Sequence, residues 1–166
     1  MAVPDSTAMA RRLCRGAYIQ YSSREQRSMH FVSGIDILNV PFAWAREDIL
    51  FLHHLLELCA FFIPQASAHE EVFDQLEGLY RLSLDRSTMS FKKLFLVRFF
   101  ILIGMYPEEG AHRLPFFQKL VAEPIDVLAS RHVHLDLAHE VDSWLLSCVD
   151  QHPQIDLLKT AYYLRK

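Results

Sequence analysis

Apolar positions fall along this chain in two rhythms, a two-residue alternation near the N-terminus and a three-to-four-residue spacing from about residue 46 onward. The alternation covers AYIQYS (Ala17 to Ser22) and MHFV (Met29 to Val32), separated by the polar run SREQRS. Residues of high β-propensity on either side of a polar stretch predict a hairpin. The longer spacing predicts helices. Pro41 suits the first turn of a short helix, and the pattern from Arg46 to Ile63 stops at Pro64. Ser67, followed three residues later by Glu70, has the form of a capping box, so a helix is expected from Ala68 to about Leu82. Its inner face would carry Val72, Leu76 and Leu79 or Tyr80.

Phe91 to Ile103 is apolar almost all round, which marks a helix buried on every side, and Gly104 stands where a left-handed cap is needed. Leu94, Val97, Ile101 and Leu102 are expected among the least exposed residues. Beyond it, Pro107, Pro115 and Pro124 cut the chain into short helices, followed by Leu137 to Val149 and Gln154 to Leu164. The fold class is therefore all-α, a single helical domain with a small N-terminal β-ribbon. The expected division is a basic segment with the hairpin at 1–36 and the helical domain at 37–166.

The 166 residues are 51% hydrophobic, enough for one continuous core, and the formal net charge is -3. Its distribution says more than its total. Through Gly34 five arginines (Arg11, Arg12, Arg15, Arg24 and Arg27) face only Asp5 and Glu25, while the remainder carries 12 basic and 18 acidic residues. The basic head is read either as a polyanion contact or as a solvated surface. Cys14, Cys59 and Cys148 are odd in number and far apart, which fits reduced thiols in a cytoplasmic protein. Ile49 to Ile63 and Leu94 to Ile103 are shorter than the ~20 residues of a membrane span, and charged or histidine residues interrupt them.

Candidate chemistry is sparse. His132, His134 and His139 with Glu140 form the densest histidine group, but no complete metal-ligand spacing is present and no metal or cofactor is expected. His53 and Glu57 share a helix face at i, i+4 and are expected as a hydrogen-bonded pair at the core edge. There is no nucleophile elbow, no phosphate-binding glycine loop and no dinucleotide fingerprint, so the chain is not expected to be an enzyme.

The stretch from Lys92 to Pro107, KKLFLVRFFILIGMYP, resembles a helix of the RecO recombination mediators, with Lys93, Phe95, Arg98, Ile103, Gly104 and Pro107 at matching positions. Upstream, IDILNVPFAWARED (Ile35 to Asp48) is similar to that family's passage from its last strand into its helical domain. Val72, Phe73 and Leu76 suit its next helix. Downstream, DLLKTAYYLRK (Asp156 to Lys166) is similar to its terminal helix, with Lys159 and Thr160 standing for Lys-Ser. The chain departs from the family where Leu96 replaces an acid and Met105 a tyrosine. It also has no cysteine between Glu108 and His132, where many members carry a four-cysteine zinc element.

The resemblance implies a non-enzymatic mediator of homologous-recombination repair. Its β-ribbon would be the remnant of an OB-fold, roughly Arg11 to Asp36. The implied partners are the C-terminal tail of single-stranded-DNA-binding protein and RecR, with weak DNA binding through Arg11, Arg12, Arg15, Arg24 and Arg27. The tail would need an apolar pocket with a cationic rim, for which Phe91, Phe95, Lys92, Lys93 and Arg98 are the candidates. The competing reading of these residues is that Lys92 and Lys93 form a solvated first turn while Arg98 snorkels from the core or pairs with an acid. The alternative for the whole chain is a helical interaction or scaffold domain with no role in repair.

Overall fold

The computed structural model describes residues 17–26, 29–40, 44–64, 69–82, 88–107, 114–131, 135–150, 152, 157 and 158. The chain divides into two compact units, residues 1–43 and 44–166. It is mostly helical, with one small antiparallel sheet.

The first unit holds the ribbon. Strand β1 (Tyr18–Gln26) pairs antiparallel with β2 (Met29–Asn39), from Tyr18 opposite Asn39 to Gln26 opposite Met29. Both strands run further than the apolar alternation, because the polar residues Ser23 to Gln26 still join the backbone ladder. Between Gln20 opposite Asp36 and Ser22 opposite Ser33, β2 contains one residue more than β1. The insertion falls at Gly34, whose φ of 60° lies in the left-handed region that a bulge of this kind favours.

Six helices are found among the described residues of the second unit: α1 (Arg46–Phe62), α2 (Glu70–Arg81), α3 (Met89–Leu102), α4 (Leu114–Ala122), α5 (Ile125–Ser130) and α6 (Leu135–Asp150). The expected short helix at Pro41 and the capping residue Ser67 lie outside the described residues, as does the terminal helix at 154–164 except for Leu157 and the buried Leu158. α2 begins later than the capping-box pattern implies. Its N-cap is His69, with no side-chain bond to the helix, so Glu70 is the first helical residue and not the third. Glu70 and Glu71 there face the positive end of the helix dipole.

α3 is the hub. It packs against α2, α4, α5 and α6, and reaches α1 through Phe95 on Phe51 and Phe100 on Phe62. Both its ends are capped. The Thr88 hydroxyl accepts the Phe91 N–H at 3.1 Å. At the other end Gly104, at φ 71°, turns the chain so that its own N–H reaches the Ile101 carbonyl and the Met105 N–H reaches the Phe100 carbonyl. This pair of bonds is a Schellman closure. Thr88→Ala should cost about 1 kcal/mol in urea unfolding; an unchanged midpoint would show that the cap carries no stability.

Leu94 and Val97 are buried as expected, whereas Ile101 and Leu102 are half-buried, since the last turn of α3 leaves the centre of the body. On α2, Gly78 meets α5 closely: a Cβ at that position would lie 3.2 Å from Ile125 Cδ1. Among the described residues no helix is long and apolar enough to cross a membrane.

Candidate functional site

The three cations of α3 have different fates. Lys92 is buried, and its ammonium lies 2.8 Å from the Asp48 carboxylate in the first turn of α1, with both side chains nearly inaccessible. It also stands 5.9 Å from the centre of the Phe51 ring, within cation–π range. Lys93 is half-buried and bridges to Asp142 of α6 at 2.7 Å. Arg98 donates through Nη1 to the Glu123 carbonyl at 2.7 Å. Phe91 and Phe95, each 1% exposed, belong to the core. The five residues therefore do not form the expected tail pocket: the rings offer no surface, and Lys92 is neither a solvated first turn nor a rim cation. The competing reading fails for both lysines, since Lys93 too is held in an ion pair, while Arg98 bonds the backbone carbonyl of Glu123 and feels the charge of its side chain.

Arg98 nonetheless lines a cleft of about 340 Å³, with Glu71, Asp74 and Gln75 of α2, Leu102 of α3, Val121 of α4 and Ile125 of α5. Burial lowers the pKa of the guanidinium, and the charge of Glu123 opposes that shift. Arg131 donates to Oε1 of Glu123, whose Oε2 is buried with no hydrogen-bond partner among the described residues. Two polar atoms at the cleft are left over. Arg98 Nε and Gln75 Oε1 have no hydrogen-bond partner among the described residues, although Gln75 is only 7% exposed. An unpaired buried polar group costs about 1–3 kcal/mol. Gln75 escaped the sequence reading, although it occupies an inner-face position of α2 between Val72 and Leu79. A polar residue inside an apolar stripe was the available signal.

A second groove, about 470 Å³, lies between the end of α1 and the start of α2, lined by Cys59, Ile63, Val72, Leu76 and the exposed Phe73 among others. Burial pushes the Cys59 thiol up to about 12 and raises Cys148 as well. Both remain protonated at neutral pH and serve as packing atoms instead of nucleophiles.

Of the histidine group, His132 and His134 lie outside the described residues and His139 is exposed on α6. Among the described residues no three His, Cys, Asp or Glu side chains come together as a metal site. The expected His53–Glu57 pair is replaced by another arrangement. Glu57 acts electrostatically on His54, while His53 Nε2 is buried with no hydrogen-bond partner among the described residues.

Burial dominates at His54 and lowers its pKa from 6.5 to about 4. Between these values the unfolded chain binds a proton that the folded chain refuses. The neutral imidazole therefore supports the fold fully above about 6.5, and that support falls away as pH drops toward 4. The expected loss is roughly 3 kcal/mol over the window. Urea unfolding at several pH values should show this slope in the native chain, and His54→Gln should flatten it; equal slopes would remove His54 as the cause.

Of the five candidate DNA-binding arginines, Arg24 is exposed on β1 opposite Phe31. Arg11, Arg12, Arg15 and Arg27 lie outside the described residues. Compared with protein-family models, curated proteins and solved structures, the chain matches none.

Proposed function

We propose that this chain is a RecO-like, non-catalytic mediator of homologous-recombination repair, acting in the cytoplasm by binding single-stranded-DNA-binding protein through its tail, and RecR. The observation that carries the reading is the course of the resembling segment. It leaves an antiparallel ribbon at Asn39, enters a helix at Arg46, and supplies in Met89–Leu102 the helix around which the body packs. In this reading the ribbon is what remains of an OB-fold. The binding surface on α3 is reduced to Arg98 and the neighbouring apolar residues Leu102, Val121 and Ile125.

The test is capture of the purified chain on an immobilised tail peptide and, separately, on RecR, each against a scrambled or unrelated control. Binding to either above control supports the reading, and failure of both overturns it. Lys93→Glu is a poor probe of docking, because it would set a second carboxylate against Asp142 and read out stability instead. Direct DNA binding should be weak and salt-sensitive, since few phosphates are neutralised by the arginines at 11, 12, 15, 24 and 27. Tight binding to single strands at physiological salt, measured by fluorescence anisotropy, would contradict this.

A second reading, a helical scaffold without a role in repair, is favoured by the apolar groove beside Phe73, which is 53% exposed. Exposed aromatic surface beside a groove is a common docking feature. It predicts capture on neither repair partner.

A further inference from the structure

The groove between the end of α1 and the start of α2 differs in character from the Arg98 cleft. Its bed is apolar, from Cys59 and Ile63 of α1 and Val72 and Leu76 of α2, and Phe73 stands beside it at 53% exposure. The protonated Cys59 thiol counts with the apolar groups. Glu70 and Asp74 line the same groove, on the helix face that carries Phe73, at positions i, i+4 and i+3. Both acids are exposed, and among the described residues neither is in an ion pair. Arg81, the one Lys or Arg of α2, is held by Glu77 at 2.9 Å. Among the described residues of the lining only His69 can carry positive charge, and the helix dipole adds about half a charge at the N-terminus. With Glu71 next along the helix, the rim stays negative.

An apolar bed with a negative rim selects its occupant. The rim repels nucleic acids, anionic lipid surfaces and acidic tails, and a simple cation would leave the bed and Phe73 uncovered. Glu70 and Asp74 stand one helical turn apart, about 6 Å along the axis, a repeat matched by basic residues four apart on a second helix. We propose that this groove docks a cationic amphipathic helix of a partner protein. Its apolar side chains lie on Ile63, Leu76 and Phe73, and its lysines or arginines face Glu70 and Asp74. The apolar contacts hold the helix, and the charges choose which helix is held. This goes beyond the repair reading and does not depend on it, since capture on the tail peptide or on RecR can fail while the groove fills, and the reverse.

The probe is a fluorescein-labelled amphipathic leucine–lysine helix, titrated with the full chain and followed by anisotropy. A leucine–glutamate counterpart keeps the apolar face and reverses the charge, and a serine–lysine counterpart keeps the charge and removes the apolar face. The leucine–lysine peptide should bind, with each counterpart about tenfold weaker or more. Phe73→Ala should weaken that binding by about fivefold or more, and Glu70→Gln by about two- to fivefold, the range of an exposed ion pair. Both positions line the groove and not the Arg98 cleft, so neither variant alters the surface assigned to repair. Asp126→Asn removes an exposed acid of α5 and is the control that should leave affinity unchanged. The proposal is overturned if the leucine–lysine peptide does not bind, or if either counterpart binds as tightly. Unchanged affinity in a Phe73→Ala or Glu70→Gln protein with a native helical spectrum overturns it too, as does an equal loss in Asp126→Asn. Self-association that Phe73→Ala dissolves, measured by light scattering, would assign the groove to a second copy of the chain and overturn the partner assignment.

Discussion

Asp48→Ala should destabilise the helical body by about 3–5 kcal/mol, a large part of the 5–15 kcal/mol typical of a domain. The reason is the state in which it leaves Lys92. Both side chains of this ion pair are almost fully buried, at 4% and 5% exposure, and the ammonium lies 2.8 Å from its carboxylate. Removing the acid strands a buried charge beside the Phe51 ring. The pair itself is not a large net stabiliser, because desolvating two ions offsets most of their attraction. The double replacement Asp48→Leu with Lys92→Met should therefore recover most or all of the loss. Urea unfolding of the two single and one double variant closes the cycle. A single-variant loss below about 1 kcal/mol, the range of exposed ion pairs, would mean that the pair is solvated.

Phe100→Ala is expected to cost about 3–5 kcal/mol by opening a cavity at the junction of α1 and α3. The ring is fully buried and meets Phe62 edge-on at 5.6 Å and Phe99 at 5.4 Å. Each such aromatic pair adds about 0.5–1.5 kcal/mol beyond the area it buries. Phe73→Ala on the exposed face of α2 is the matched control and should change stability by only about 0.5 kcal/mol or less. Similar losses for the two variants, compared by denaturant midpoint, would mean that Phe100 is not part of a close-packed centre.

The central helix was legible because its signals are local and agree. An unbroken apolar run and a glycine cap fix α3 to within two residues of the expected Phe91 to Ile103. The start differs because Thr88, whose hydroxyl caps the helix, lies upstream of the apolar run. The ribbon was legible in kind but not in length, since strand pairing at Ser23 to Gln26 is a backbone property that side-chain alternation does not report. The environments of α3's polar residues were hardest to read. Lys92 and Lys93 look alike in sequence, yet one is buried against an acid 44 positions upstream and the other reaches across to α6. The cleft was invisible for the same reason, as its lining comes from four helices that only the packed body brings together. The polar break at Gln75 in the α2 stripe was its one local trace.

Gly78 gives position 78 an influence out of proportion to its lack of a side chain. Ile125, the residue that occupies the space a Cβ would claim there, is also a wall of the Arg98 cleft. The gap between α2 and α5 thus acts as an aperture whose setting depends on what fills one point outside it. A methyl group at 78 would work as a shim, making Ile125 yield by a few tenths of an ångström or forcing the helices apart. Either response would change the width of the cleft while leaving Arg98, Gln75 and the acids chemically unchanged, so the shape of this surface and its charge can be altered separately.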